Sequence, residues 1–148
     1  MAKQPPFHVR HAVEEDRLPL ARLFAAVAEE RDGIATEPPV DVEARAAGWD
    51  IENILVAVTG EETVGFIHVG PRFGGGDIGM AVAQEWRGRG VGSALVAAAI
   101  ESAREKGLHK LSLEVFTHNT AGIALYRNGR EGELVAFWRS RDALPLRR

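Results

Sequence analysis

Trp86-Arg87-Gly88-Arg89-Gly90-Val91-Gly92-Ser93-Ala94-Leu95 is the stretch on which the reading of this chain turns. It lies between an apolar segment, DIGMAVA at 77–83, that reads as a strand and a run with apolar residues at helical spacing from Val91 to about Lys106, closed by Gly107. Alternating glycines let the backbone turn tightly and leave its amides uncovered by side chains. At the start of a helix those amides and the macrodipole favour negative charge, and Arg87 and Arg89 add positive charge beside them. The loop suits a pyrophosphate, although a glycine-rich turn with solvated arginines has the same composition.

The spacing narrows the choice of ligand. A nucleoside triphosphatase loop ends in Gly-Lys-Ser/Thr, whereas Gly92 is followed by Ser93 and Ala94. A dinucleotide fingerprint reads G-x-G-x-x-G, while the glycines here are Gly88, Gly90 and Gly92, and the strand before them does not open the chain.

Outward from the loop, the pattern predicts strands at 7–13, 53–59, 63–70, 77–83, 109–116 and 133–140. Gly60-Glu61-Glu62 marks a hairpin turn and Gly74-Gly75-Gly76 a further reversal. Asp16 is placed to cap a helix through about Glu30, and Asp41 to Ala47 read as a short second helix after the GIATEPP loop at 33–39. A shorter helix is expected over about 117–128, and a terminal hairpin over 133–140 and 142–146. The strand–helix–strand unit over 77–116 predicts a right-handed parallel crossover behind an antiparallel meander. The fold class is therefore α/β: one domain over 1–148, three α/β/α layers about a mixed, mostly antiparallel sheet.

Composition excludes several functions. The 148 residues carry a net charge of −3, with no global basic field for nucleic acid or anionic membrane. There are no cysteines, hence neither disulfides nor a thiolate nucleophile. His8, His11, His68 and His109 lack ligand spacing, so no metal is expected. No run approaches the ~18 apolar residues of a membrane span, and a cytoplasmic protein is expected.

Arg87, Gly90 and Gly92 fit the Arg/Gln-x-x-Gly-x-Gly/Ala coenzyme A loop, and the chain here resembles the GCN5-related N-acetyltransferase (GNAT) superfamily. Met80-Ala81-Val82 resembles that family's strand whose backbone pairs with the pantetheine arm. Leu113-Glu114-Val115, then Asn119 and Tyr126, are most similar to the ribosomal-protein alanine N-acetyltransferase group. The resemblance covers about residues 51–127, and departs where Tyr126 is followed by Arg127-Asn128-Gly129, the glycine one residue early with no aromatic after it.

The resemblance implies acetyl-CoA as cosubstrate, held by Met80, Ala81, Val82, Arg87, Gly88, Arg89, Gly90, Val91, Gly92, Ser93 and Asn119, with a primary amine as acceptor. It implies Glu114 as general base and Tyr126 as proton donor to the departing thiolate. The residues by themselves also admit a strand carboxylate paired with a neighbouring cation at Glu114, a core aromatic at Tyr126 and a helix cap at Asn119. A backbone N–H near Val82 is a candidate oxyanion donor. Glu37 is the first candidate for contact with a cationic acceptor, or else a solvated loop charge. The expected partners are acetyl-CoA and a peptide N-terminus or small amine, with no nucleic acid and no membrane, and a homodimer left open. The alternative is a catalytically silent acyl-CoA-binding module, which needs the loop but neither Glu114 nor Tyr126.

Overall fold

A computed structural model describes residues 6–30, 36–72, 75–108, 110–115 and 135–140. The strands are β1 (His8–His11), β2 (Ile54–Thr59), β3 (Glu62–Arg72), β4 (Gly75–Val82), β5 (Lys110–Val115) and β6 (Val135–Ser140). The helices are α1 (Arg17–Glu29), α2 (Val42–Gly48) and α3 (Val91–Glu105). The strands form a single sheet in the order β1-β2-β3-β4-β5-β6. The three pairs among β1 to β4 are antiparallel, whereas β4–β5 and β5–β6 are parallel. The mixed α/β fold and the parallel return after α3 are as expected from the sequence.

Two apolar cores explain the layering. On one face, Val91, Leu95, Val96, Ala99, Ile100 and Ala103 of α3 pack against Leu55, Ala57, Ile67 and Val69. On the other, Leu20, Leu23 and Val27 of α1 meet Ile54, Val56, Val58, Phe66 and Ala81. Strand β2 is covered on both sides, which is why Ile54 to Val58 read as an unbroken apolar run rather than an alternating one. Gly65 on β3 allows α3 its close approach: a Cβ there would lie 3.0 Å from Val91 Cγ1 and 3.1 Å from Leu95 Cδ1.

Some local expectations are corrected. Asp16 stands at the N-cap of α1, yet its carboxylate makes no cap bond to the helix. It turns back to accept from Arg10 at 2.8 and 3.1 Å and from the Val13 amide at 2.7 Å, because a short 3-10 turn (Glu14–Asp16) precedes α1 and brings those donors closer. Asp41 does cap, accepting the Ala44 amide at 3.1 Å. Gly75 and Gly76 belong to β4, in register with Arg72 and Pro71, rather than to a turn. The expected helix at 117–128 and the strand at 142–146 lie outside the described residues.

Arg17 ties the two helices of the second layer together. It donates to the carbonyls of Ala46 (3.0 Å), Ala47 (3.3 Å) and Trp49 (2.9 Å), and so satisfies oxygens that the end of α2 leaves unpaired. Glu14 holds the same guanidinium through two bonds of 2.7 and 3.2 Å.

Candidate active site

The site begins where two parallel strands part. β4 and β5 pair only at Gly76↔Leu111 and Asp77↔Ser112, although β4 continues to Val82 and β5 to Val115. β5 stays paired with β6 along its whole length, so β4 is the strand left with one neighbour. The Ala83 amide donates to the Val64 carbonyl at 2.8 Å, which fixes the parity of the β3–β4 ladder. Ala81 and Ala83 therefore turn their backbone groups toward β3, while Met80 and Val82 turn theirs toward the opening. Among the described residues, no strand takes up those groups. An extended ligand bearing amides can pair there as an added strand.

The loop at the end of β4 carries the second feature. Trp86 is buried, with its ring edge-on to Phe7 at 6.2 Å and the Arg89 guanidinium 5.0 Å from its ring centroid. This anchors the loop before its two left-handed residues, Gly88 (φ +77°) and Gly90 (φ +90°), conformations that a side chain would strain. Helix α3 starts at Val91, and its first bond runs from the Ala94 amide to the Gly90 carbonyl at 3.0 Å. The amides of Val91, Gly92 and Ser93 are those a helix start leaves over, and the positive end of the macrodipole sits with them. Val91 is buried beneath them and Gly92 has no side chain, so little covers the amides from above.

Arg87 takes a direction that its place in the motif does not announce. Its Nε donates to the Val82 carbonyl at 3.0 Å, and its two terminal nitrogens donate to Glu30 Oε1 and Oε2 at 2.8 and 3.0 Å. The guanidinium thus lies toward the end of α1. Arg89, by contrast, stays beside the loop on Trp86.

The profile of the Acetyltransferase (GNAT) family matches residues 20–129 and so spans β2 through β5 together with this loop. The chain belongs to that family. A solved ribosomal-protein-alanine N-acetyltransferase from Brucella melitensis is 32% identical, with a TM-score of 0.74 over 82% of this chain and 82% of that one. A Salmonella typhimurium protein solved with acetyl-CoA as its cofactor shares the fold at 20% identity and a TM-score of 0.73, over 82% of this chain and 77% of that chain. Among curated proteins, the mycothiol acetyltransferase of Paenarthrobacter aurescens (strain TC1) is 40% identical over 97 residues, 59% of this chain and 30% of that protein. The mycothiol acetyltransferase of Renibacterium salmoninarum is 29% identical over 119 residues, 80% of this chain and 32% of that protein. The chain spans about a third of the length of these curated relatives.

Within this GNAT fold, Met80, Val82 and the 87–93 loop come together at one end of β4. Ala81 turns the other way, its side chain buried in the α1 core. Glu114 lies on the arm of β5 beyond the parting point, in register with Arg139 of β6. Glu37 is exposed in the segment before α2. Asn119 and Tyr126 lie outside the described residues.

An aromatic cluster on the α1 side was not foreseen from the sequence. Trp49 lies 5.8 Å from Phe24 and 5.3 Å from Phe66, and the Arg45 guanidinium is 4.2 Å from the Phe24 ring centroid. The Trp49 indole N–H is buried without a hydrogen-bond partner. The three rings come from α1, the end of α2 and β3, so no single stretch of sequence signals them. Among the described residues, no helix is long and apolar enough to cross a membrane.

Proposed function

We propose that this chain is an acetyl-CoA-dependent N-acetyltransferase, one GNAT domain over 1–148 that passes acetyl to a primary amine by direct attack within a ternary complex. The observation that supports it best is the edge of β4 at Met80 and the Val82 amide, which no strand covers among the described residues, beside the uncovered amides of α3. The donor set fits the coenzyme: strand-type pairing groups for an amide-bearing arm, then backbone N–H groups and a helix dipole for a pyrophosphate. Bound acetyl-CoA would supply an activated acyl carbon. The residues that would hold it are Met80, Val82, Gly88, Arg89, Gly90, Val91, Gly92 and Ser93, with Asn119 as the family resemblance implies.

The remaining work falls to this chain. On this reading the Val82 amide, which faces the opening, stabilises charge developing on the acyl oxygen. Holding both reactants between the diverging strands supplies orientation. Glu114, directly or through water, accepts the proton of the amine, and Tyr126 returns a proton to the leaving sulfur. An α-amino group, with a pKa of ~7.7–8.0, needs less help than a lysine at ~10.4, which favours an α-amine or a small amine of low pKa. The relatives' names span a protein acceptor and a small-molecule one, and Glu37 is proposed to meet the cationic form of either. The cytoplasm is the proposed location.

A turnover assay with acetyl-CoA tests the proposal, using alanine-terminated peptides and small amines as acceptors and thiol release as signal. Acceptor-dependent thiol release is expected. CoA binding with no thiol release on any amine would instead favour a silent acyl-CoA-binding module.

A further inference from the structure

We propose that Glu30 and Arg87 are paired positioning residues that lock the tip of β4 and the glycine loop to the end of α1. On this reading, which rests on the proposed coenzyme site, Arg87 acts through the backbone that it holds and touches no phosphate. A guanidinium offers five N–H donors in a fixed plane. Here Nε is committed to the Val82 carbonyl and the terminal nitrogens to both oxygens of Glu30, the two-pronged geometry that holds a carboxylate best. The partners are 57 residues apart in sequence and belong to different layers.

Each end of the link is anchored. Glu30 follows directly on α1, its amide bonded to the Val27 carbonyl at 3.1 Å, and α1 is fixed by the buried Leu20, Leu23 and Val27. Arg87 follows the buried Trp86 and precedes Gly88 and Gly90, the two loop residues with the greatest backbone freedom. A loop of that composition holds one shape only if something outside it does the holding. The Val82 carbonyl faces the opening between β4 and β5, so Arg87 fixes the strand end whose amide is the proposed oxyanion donor. Glu30 also offsets the charge of Arg87, leaving the α3 amides and Arg89 as the positive groups of the loop. The amides of α3 lie with the opposite face of the sheet, where α3 packs. Arg87 spends three of its five donors on Glu30 and Val82, toward the α1 side.

Arg87→Lys, Arg87→Gln, Glu30→Gln and their double variants test the link, first without ligand. In the free wild-type protein, the Arg87 Nε–H is expected to exchange slowly by NMR, and in Glu30→Gln that protection is lost. By calorimetry with CoA, each single variant is expected to bind about three- to tenfold more weakly, the scale of a lost charge-assisted bond at a partly exposed site. Arg87→Lys behaves like Arg87→Gln because the fork, rather than the charge, does the positioning. Glu30→Gln/Arg87→Gln is no weaker than either single variant. Turnover with S-acetylpantetheine, which has no phosphates, falls by the same factor as turnover with acetyl-CoA. If Glu30→Gln tightens CoA, or if Arg87→Gln harms acetyl-CoA turnover alone, Arg87 is a phosphate ligand held back by Glu30 and the inference is overturned. A wild type that binds no CoA overturns the coenzyme reading and this inference together, and the ligand-free exchange measurement tells that outcome from a bridge that never forms. If Glu30→Gln does not fold, Glu30→Asp, which withdraws the carboxylate by one methylene, gives the same readings.

Discussion

Asp16 shows how a single carboxylate is tuned by its position. Burial works to raise its pKa, but the hydrogen bond from Arg10, the Val13 amide and the charge of Arg10 together outweigh burial, and the net shift is downward. A carboxyl lowered in the folded state stabilises the fold above its unfolded pKa of about 3.9, and that contribution disappears as pH falls through the folded value. Asp16→Asn is therefore expected to cost about 1–3 kcal/mol near neutral pH and progressively less below about pH 4, as read from denaturation curves at several pH values. The proposed proton-transfer roles of Glu114 and Tyr126 are tested by rate. Tyr126→Phe is expected to reduce turnover about 10²–10⁴-fold with CoA affinity nearly intact, since the ring stays and only the hydroxyl goes. Glu114→Gln is expected to lose most near neutral pH and to recover partly at alkaline pH, where the amine deprotonates unaided. An equal loss at every pH would assign Glu114 to positioning or stability instead.

At the scale of elements, the site depends on where α3 starts and how closely it approaches the sheet. Gly90 at φ +90° sets the first turn, and an L-residue there costs about 1–2 kcal/mol in backbone strain. Gly90→Asp adds bulk and negative charge beside the free amides, so CoA binding is expected to vanish by calorimetry while the fold persists by circular dichroism. Retained affinity would move the phosphate site away from this loop. Gly65 sets the approach distance. Gly65→Val crowds Val91 and Leu95 and is expected to destabilise the protein by about 1–3 kcal/mol while weakening CoA, because α3's first turn has to shift.

For the whole molecule, the mixed sheet and two helical layers form a scaffold in which, among the described residues, β4 parts from β5. A ligand bound there adds its binding free energy to the stability of the native state. At CoA about a hundredfold above Kd, that is roughly 2.7 kcal/mol, or an increase in Tm of roughly 5–10 °C for a chain of this size. Differential scanning fluorimetry checks it. A larger shift with ATP or NAD than with CoA would exclude a coenzyme A site.

Much of this protein is written locally. The apolar runs of β2 and β3, the helical spacing of α3 and the helix stop at Gly107 (φ +76°) follow from neighbouring residues and recur in the structure within a few positions. The glycine loop is legible for the same reason, since its backbone demands are met by Gly88 and Gly90 themselves. The parting of β4 from β5 is not, because it depends on a register between strands separated by all of α3. Nor are the partners of the long cations. Arg87 stands in the loop expected to hold a pyrophosphate, and its guanidinium meets Glu30; nothing beside Arg17 in the sequence points to the end of α2, whose carbonyls it holds. An arginine side chain can reach several acceptors of similar strength, and only packing decides which of them comes within about 3 Å.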